Sequence, residues 1–237
     1  MKTAVVADAH LKGLTDPNQA SLVKLLDGFI ANKLDAIIIL GDLFDFWRGF
    51  NQVVYHHYEP VLAALLRLKA SGVKIIYFEG NHDFNMGGFF TGTLGAEVHK
   101  ASCEMEIDGK IIFCAHGDLI AGGLAHKVWK GFVTGWLCGL LVRLAGPELT
   151  WKAAAMLSKK SRDYGGKKPR VESVLRGCAK RMIGKGADAV LLGHSHAAGV
   201  TKIEAEGRKG VYANPGSWAG DKTYLVHENG EFRVESG

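Results

Sequence analysis

Five short apolar runs in this sequence each end abruptly in a glycine, a carboxylate, an asparagine or a histidine. The clearest run occupies residues 37–40, is rich in β-branched side chains, and is followed at once by Gly41 and Asp42. Short apolar runs with such a boundary are typical of strands that are buried on both faces. Functional side chains of α/β proteins collect just past the carboxyl ends of these strands. The pattern therefore predicts a layered fold with a polar site at the strand ends.

Helical and strand-like patterns alternate through the first part of the chain. Apolar positions recur at helical spacing in 16–32 and in 61–68, and Asp16-Pro17 supplies a cap and a favourable first helical residue. The strand-like runs lie at 3–7, 36–40 and 73–78. This alternation predicts an α/β arrangement of layers.

From residue 97 onward the spacing changes to short strands. Asp108-Gly109 lies between two apolar runs and predicts a tight hairpin turn. After a different middle segment, strand-like runs lie at 188–192, 199–205, 209–213, 223–227 and 231–234. We therefore expect an α/β fold of the broader α+β kind.

Length and composition are those of a globular protein. The 237 residues, 47% of them hydrophobic and 22% charged, suffice for one large domain or for a domain with an appendage. The four cysteines form no CxxC pair, which argues against a zinc ribbon or a disulfide framework and fits a reducing cytosol. Asp8 interrupts the first apolar run, so we expect no signal peptide.

The side chains that follow the five runs share the chemistry of metal ligands. Carboxylates, imidazoles and an amide without a thiolate suit manganese, iron or zinc in a catalytic site. The set exceeds what one tetrahedral ion needs and suits two ions that share a carboxylate. Each residue alone could equally be a helix cap or a packed histidine, but the repetition at five strand ends favours the metal site. The residues are Asp8, His10, Asp42, Asp45, Asn81, His82, Asp83, His116, His194 and His196.

Five other histidines lack this position after a strand. We expect them to be structural or surface residues. They are His56, His57, His99, His126 and His227.

The order of the motifs resembles that of the calcineurin-like metallophosphoesterases. The resemblance implies a four-layer sandwich of two mixed β-sheets flanked by helices, with two metal ions on the loops at the strand ends. The motifs are Asp8-x-His10, Gly41-Asp42-x-x-Asp45, Gly80-Asn81-His82-Asp83, His116-Gly117-Asp118 and Gly193-His194-Ser195-His196.

The resemblance also assigns roles to these residues. One metal ion would be held by Asp8, His10 and His196, and the other by Asn81, His116 and His194. Asp42 would bridge the two ions. His82 would be the general acid and a phosphate contact, oriented by Asp45. The expected cofactors are two divalent ions, manganese first, with iron or zinc as alternatives.

The middle of the chain does not belong to this motif series. Residues 124–170 hold ten lysines and arginines against two acids, a formal charge of +8, whereas the whole chain carries +5. An apolar stripe runs without a break from Val128 to Leu144 and predicts one amphipathic helix, and 148–164 predicts a second. The uncharged run at 131–142 is too short to span a bilayer.

Two interpretations of this segment, which we call the cap (residues 124–170), stay open. The helices could pack on the sandwich with a solvated basic rim. Alternatively, an apolar groove could accept acyl chains while the cations face anionic lipid or phosphate, as basic amphipathic helices with Trp and Phe do at membrane interfaces. A Leu-rich stripe fits lipid better than bases, so no nucleic-acid partner is expected. The expected substrate contacts are Trp136, Lys159, Arg162 and Tyr164.

The expected domain organisation follows from the cap. Residues 1–123 and 187–237 form the metallophosphoesterase domain, 124–170 the helical cap insertion, and 171–186 a helix that returns to the core.

The position of the cap between the His116 motif and the Gly193-His194-Ser195-His196 motif resembles one subfamily in particular. Gly41-Asp42-Leu43-Phe44 and His116-Gly117-Asp118-x-Ile120 are similar to its motifs. That subfamily cleaves the diphosphate of UDP-2,3-diacylglucosamine to UMP and 2,3-diacylglucosamine 1-phosphate in lipid A biosynthesis. The resemblance implies a peripheral protein on the cytoplasmic face of the inner membrane, acting with manganese on a lipid-linked nucleotide.

One residue departs from that subfamily, which usually has arginine in the place of His82. A histidine retains the general acid that poorer leaving groups need. A phosphatase or phosphodiesterase for a soluble nucleotide, nucleic acid or phosphoprotein therefore stays as the alternative enzyme. A non-catalytic membrane scaffold is disfavoured because every ligand position of the motif series is filled.

Overall fold

The computed structural model describes residues 1–50, 55–161 and 168–237, with side chains left out of the description from 154 to 161. Two mixed sheets dominate it. The first sheet has the order β13-β12-β1-β2-β4-β6, and the second the order β10-β11-β9-β8-β7. The strands are β1 (Thr3–Val6), β2 (Ala36–Ile39), β3 (Trp47–Arg48), β4 (Lys74–Phe78), β5 (Asp83–Phe84), β6 (Glu97–His99), β7 (Cys103–Ile107), β8 (Lys110–Ala115), β9 (Ala189–Leu192), β10 (Gly199–Ala205), β11 (Arg208–Asn214), β12 (Thr223–Glu228) and β13 (Glu231–Ser236).

Parallel strands form the centre of each sheet. In the first sheet β1, β2, β4 and β6 are parallel, and β12 and β13 complete it in the antiparallel sense. In the second sheet β8, β9 and β11 are parallel, and β7 and β10 form antiparallel edges. β3 and β5 form a separate short parallel pair.

α-Helices connect the strands of the two sheets. They are α1 (Pro17–Ala31), α2 (Glu59–Ala70), α3 (Asp118–Ala121), α4 (Leu124–Thr134), α5 (Trp136–Ser161) and α6 (Pro169–Gly184). Helices α1 and α2 cover the first sheet, while α6 covers the second. The side chain of Asp16 accepts a hydrogen bond from the backbone N–H of Asn18, and Pro17 is the first residue of α1, as the sequence predicts.

Successive side chains of the central strands point into different layers. In β1, Ala4 and Val6 pack with the first pair of helices, whereas Val5 packs between the two sheets with Ile38. A strand that must be apolar on both faces has no room for a polar side chain until it ends. The predicted four-layer sandwich is confirmed, and its polar groups are displaced to the strand ends.

The helices of the cap differ from the prediction. The expected continuous helix breaks at Gly135, whose φ of −71° and ψ of 167° are extended, so α4 ends at Thr134 and α5 begins at Trp136. Glycine has a low helix propensity, and Gly131 and Gly135 weaken this stretch. The expected second helix is the continuation of α5 beyond Gly146, where a φ of 75° interrupts the helix directly before Pro147.

The apolar stripe of the cap faces outward. The interpretation in which it packs on the sandwich is wrong for α4 and the first half of α5, because their large apolar side chains are exposed. The second half of α5 does touch the core: the Trp151 ring stacks on His57 with 4.3 Å between centroids and 7° between planes. Among the described helices none could cross a membrane alone, and only α4 taken together with Trp136–Ala153, at a bend of 49°, has the length and hydropathy for it.

Candidate metal centre

The predicted ligands meet because their loops all follow parallel strands. Asp8 and His10 follow β1, Asp42 follows β2, and Asn81 follows β4 in the first sheet; in the second sheet His116 follows β8, while His194 and His196 follow β9. The loops are bonded to one another, since the Asp8 N–H donates to the Gly41 carbonyl (3.1 Å) and the His10 N–H to the Asp42 carbonyl (2.9 Å). The His194 N–H donates to Asp8 Oδ2 (2.8 Å), so the ligand-bearing edge joins both sheets.

The backbone of this edge is strained. Asp8, His10, Asp42, His194 and His196 all have φ between 42° and 63°. This left-handed region costs an L-residue about 1–2 kcal/mol. Such strain collects at functional sites, where the surrounding structure fixes the backbone.

Two glycines permit the close approach of the loops. A Cβ on Gly80 would lie 2.1 Å from Asp42 Oδ1, and a Cβ on Gly41 would lie 2.8 Å from the Gly80 backbone. Gly41 also has a φ of 77°. The glycines in these motifs are therefore needed for the spacing between the carboxylate of Asp42 and the loop that carries Asn81.

The ligand atoms form two groups. Those of Asp8, His10 and His196 lie within 4.8 Å of one another, as do those of Asp42, His116 and His194. The first group includes a 3.3 Å separation between His196 Nε2 and Asp8 Oδ1. The grouping matches the two sets of ligands implied by the family resemblance, with Asn81 beside the second set, since its Oδ1 lies 3.3 Å from His116 Nε2.

Asp42 lies between the two groups. Its Oδ2 is 3.8 Å from His10 Nε2 in the first group and 3.5 Å from His116 Nε2 in the second. Its Oδ1 accepts a hydrogen bond from the backbone N–H of His82 (2.9 Å). The carboxylate is buried, and it approaches both groups, as the bridging role implied by the resemblance would require.

Asp42 and His116 are coupled electrostatically. Burial by itself would raise the pKa of Asp42, but the charges of His116 and His82 hold that pKa well below its usual value. Burial would lower the pKa of His116, but the charge of Asp42 raises it to about 10. The negative charge that favours a proton on this imidazole favours a divalent cation in the same place.

Asp8 is also stabilised by nearby positive charge, whereas His194 is kept neutral. The pKa of Asp8 is lowered to about 2, because a hydrogen bond from His196 and the charge of His116 outweigh the effect of burial. Burial, reinforced by the charge of His116, lowers the pKa of His194 to about 3, so this imidazole is neutral and its lone pair is available. Its buried Nδ1 has no hydrogen-bond partner within the described part of the chain.

The orientation of the His116 ring suits a metal ligand. Its Nδ1–H donates to the Leu40 carbonyl (2.6 Å), which leaves Nε2 to face Asp42 and Asn81. Metal-binding histidines are commonly oriented by such a carbonyl. Carboxylates, imidazoles, an amide and an orphaned buried nitrogen together fit two divalent ions, which when bound polarise a phosphoryl group and lower the pKa of water.

His82 lies at the mouth of this cluster. Its ring is 4.9 Å from that of His10, and its Nδ1–H donates to the backbone carbonyl of Asp45 at 3.0 Å. The expected orientation by Asp45 therefore involves this residue's main chain. Ligand atoms of His10, Asp45 and His82 also lie within 4.8 Å of one another. The role of general acid that the resemblance implies would fall to the Nε2 of His82, since Nδ1 is engaged.

Asp83 supports the loop that carries Asp42. Its buried carboxylate accepts hydrogen bonds from the backbone N–H groups of Asp42 (2.9 Å), Leu43 (2.6 Å) and Gly80 (2.9 Å), and from the Tyr77 hydroxyl (2.5 Å). Burial and the charge of Asp42 raise its pKa to about 7. Asp83 therefore ties the loops after β2 and β4 together.

A second network supports the histidine pair. The buried Ser195 hydroxyl donates to the carboxylate of Glu172 (2.7 Å) and accepts from the Asn214 amide (2.9 Å). Glu172 lies in the first turn of α6. This network fixes the turn that presents His194 and His196.

A pocket of about 510 Å³ opens over the ligands. His126 and Lys168 line this pocket, although the sequence predicts no role in the site for either. The sequence predicts a structural or surface role for His126 and only a contribution to the charge of the cap for Lys168. His126 Nε2 lies 3.0 Å from Asp118 Oδ2, which also accepts from Lys130. The lining residues are His10, Lys12, Asn18, Asp42, Asp45, Asn81, His82, Asp118, Gly122, His126, Lys168, His194, His196, Ser217 and Ala219. The eight-residue separation of His126 from Asp118 gives no periodic signal, because the two meet only through the fold.

The expected substrate contacts in the cap are placed differently. Trp136 is 81% exposed at the start of α5 and is absent from the described lining of the pocket. The side chain of Lys159 and the residues Arg162 and Tyr164 lie outside the described residues, so their assignment stays a prediction.

Fold and site together define a metal-dependent hydrolase of phosphoester or diphosphate bonds. The family model of the calcineurin-like phosphoesterases matches residues 1–198, and the chain belongs to this family.

Two relatives of this chain share one name. The UDP-2,3-diacylglucosamine hydrolase of Aeromonas salmonicida (strain A449) is 26% identical over 99% of this chain and 93% of its own. The protein of that name from Histophilus somni (strain 129Pt) is 31% identical over 68% of each chain. Among solved structures, the phosphoesterase Yfce from E. coli covers all of this chain with 17% identity and a TM-score of 0.49.

Proposed function

We propose that this protein hydrolyses the diphosphate of UDP-2,3-diacylglucosamine, releasing UMP and 2,3-diacylglucosamine 1-phosphate. One water is added across the P–O–P linkage. The names of the relatives support this substrate. Manganese is the proposed metal, with iron and zinc as alternatives, because the donor set contains carboxylates, imidazoles and an amide.

The observation that carries the proposal is an exposed apolar face beside a metal-binding pocket. Helix α4 contributes His126 to the pocket wall, and the same helix and α5 present large apolar side chains to the outside. These side chains are Leu124, Val128, Trp129, Phe132, Trp136, Leu137, Leu140, Leu141 and Leu144. Monomeric soluble proteins rarely expose such a patch without a binding role. A substrate with a diphosphate head and acyl chains matches both the pocket and the exposed apolar face.

The charge of the cap favours a membrane surface as the place of reaction. Its formal charge of +8 would attract anionic headgroups, and its Trp and Phe side chains suit the interface. We therefore propose a peripheral location on the cytoplasmic face of the inner membrane, with the apolar face of α4 and α5 toward lipid.

The chain's own groups have defined tasks in this proposal. Lys12 and Lys168 line the pocket and would neutralise the diphosphate. Asn81 and His82 would donate to the oxygens on which charge develops. His82, with Nδ1 held by the Asp45 carbonyl, can deliver a proton from Nε2 to the leaving oxygen.

His82 also favours a second candidate, a phosphodiesterase or phosphatase for a soluble nucleotide or phosphoprotein. A diphosphate has a good leaving group and needs little protonation, whereas an alkoxide leaving group needs a general acid. The variant His82→Arg separates the two. It should retain hydrolysis of a diphosphate but lose about 10²-fold or more on an alkyl phosphodiester. Equal losses on both would count against a diphosphate substrate.

The direct test is a metal-dependent assay on two substrates. Protein loaded with manganese, iron or zinc is given UDP-2,3-diacylglucosamine in mixed micelles or bis(p-nitrophenyl) phosphate, and UMP is measured by mass spectrometry. We expect kcat/KM to be at least about 10²-fold higher for the lipid, because only it contacts the apolar face. Hydrolysis of the aryl diester without any release of UMP would refute the lipid proposal and leave the soluble one.

A further inference from the structure

Helix α4 is inverted relative to an ordinary surface helix. An amphipathic helix normally buries its apolar stripe and exposes its lysines. In α4, which lies wholly within the described residues, Lys130 alone is buried, while Leu124 is 78% exposed and Val128 and Trp129 are also exposed. Since lysine is almost never buried without a partner, the contact that buries Lys130 must be specific.

The partner of Lys130 is a carboxylate of the pocket wall. Lys130 Nζ lies 2.7 Å from Asp118 Oδ2, and both side chains are less than 9% exposed. His126, one turn earlier on α4, reaches the same oxygen. Asp118 is two residues beyond His116, so the ion pair joins the cap to the loop of a metal ligand.

Polar contacts also hold the carboxyl end of α4. The buried Arg48 guanidinium donates to the Val133 carbonyl, and its Nη1 lies 3.9 Å from Cys138 Sγ. The Asn85 amide donates to the Thr134 carbonyl (3.3 Å). A cation at a helix carboxyl terminus satisfies free carbonyls and opposes the helix dipole. Both donors come from segments that follow motifs of the site.

We propose that Lys130 is a positioning residue that, through Asp118, holds α4 against the loop of His116 and so sets the outward apolar face in register with the metal-binding pocket. Breaking a buried ion pair leaves an uncompensated charge, and α4 has little apolar packing to hold it in place. The effect on the lipid substrate rests on the proposed function, whereas the effect on α4 does not.

The test compares three variants of the full-length protein loaded with manganese. Lys130→Met removes the ammonium, Lys130→Arg keeps a cation, and Lys180→Met is the control, since it removes an exposed lysine from α6. Amide hydrogen exchange of residues 124–134 should be about 10-fold or more faster in Lys130→Met and unchanged in the control. KM for UDP-2,3-diacylglucosamine should rise about 10-fold, with kcat/KM for bis(p-nitrophenyl) phosphate within about twofold and bound metal unchanged. Lys130→Arg should restore most of the protection and of the KM.

Two results would overturn the proposal. The first is equal exchange of α4 in Lys130→Met and in Lys180→Met. The second is an equal loss of kcat on both substrates together with lost metal, which would place Lys130 in support of the metal site. If the wild-type protein does not hydrolyse the lipid, the proposed function fails, and the exchange comparison still decides the role of Lys130.

Discussion

The ligand-bearing edge of the sandwich and the cap bury opposite kinds of side chain. At the edge, strands that are apolar on both faces end in carboxylates and imidazoles, and Asp8, Asp42 and His116 are buried under the loops. In α4, the apolar side chains are exposed and a lysine is inside. The edge is thus held by sheet hydrogen bonds and a deep core, and the cap by a few polar contacts.

This difference separates two tasks. Ligands that must keep their positions to within about 0.5 Å belong on a rigid scaffold. A surface that receives flexible acyl chains needs exposed apolar area. Apolar side chains that are packed into a rigid core cannot contact those chains. Changes at the edge should therefore affect every substrate, and changes in the cap only lipid substrates.

The largest effect is expected from Asp42, the carboxylate proposed to be shared by the two ions. Asp42→Ala should reduce kcat by about 10³-fold or more on lipid and soluble substrates alike, because charge stabilisation is lost in both. Removal of metal with EDTA should do the same, and manganese should restore activity only in the wild-type protein. The control is Asp221→Ala, which alters an exposed carboxylate. A loss confined to the lipid would contradict the separation of tasks.

A smaller effect, a loss of metal affinity, is expected when the hydrogen bonds that support the ligand loops are weakened. Asp83→Asn keeps the size of the side chain but removes acceptor capacity from a carboxylate that holds five donors. We expect metal affinity, measured by titration calorimetry, to fall about 10–100-fold. Asp35→Asn provides the control, since this exposed carboxylate also accepts a backbone N–H (2.6 Å) but lies far from the site. Unchanged affinity in Asp83→Asn would show that the edge does not depend on this network.

The effect of a change in the cap should depend on the substrate. Trp136→Ala should raise KM for the lipid about 10-fold and reduce binding to anionic vesicles, since an interfacial Trp side chain is lost. The soluble diester should be hydrolysed as before, and the melting temperature should not change, because Trp136 is exposed. Ile111→Ala, an exposed apolar residue of β8, is the control. An equal rise of KM on both substrates would contradict the separation of tasks between the cap and the ligand-bearing edge.

The smallest effect concerns stability. Gly146→Ala should destabilise α5 by about 1 kcal/mol, because φ at this residue is 75°. Gly131→Ala in α4 should act in the opposite direction by about 0.5–1 kcal/mol, since its Cβ meets open space. Hydrogen exchange of 124–153 should register both, while that of β1 and β2 stays constant. Parallel changes in the strands would show that cap and sandwich unfold together.

The strand ends were predictable because burial on both faces leaves an unmistakable apolar run. The cap was not, since an apolar stripe has the same periodicity whether it faces a core or a lipid. The break at Gly135 was hidden for a related reason: the stripe keeps its spacing across it. His126 carried no signal, because Asp118 orients it only after α3 and α4 have folded.

The sequence by itself determined the order of layers and the chemistry of the site, because periodicity and residue type are local properties. It specified Asp42 as an acid after a buried strand. Only the tertiary structure decided that Asp42 lies between His10 and His116, that Lys130 is buried on Asp118, and that the apolar face of α4 points outward. These facts depend on distances between segments far apart in the chain, which are set by packing and by the pairing of buried charges.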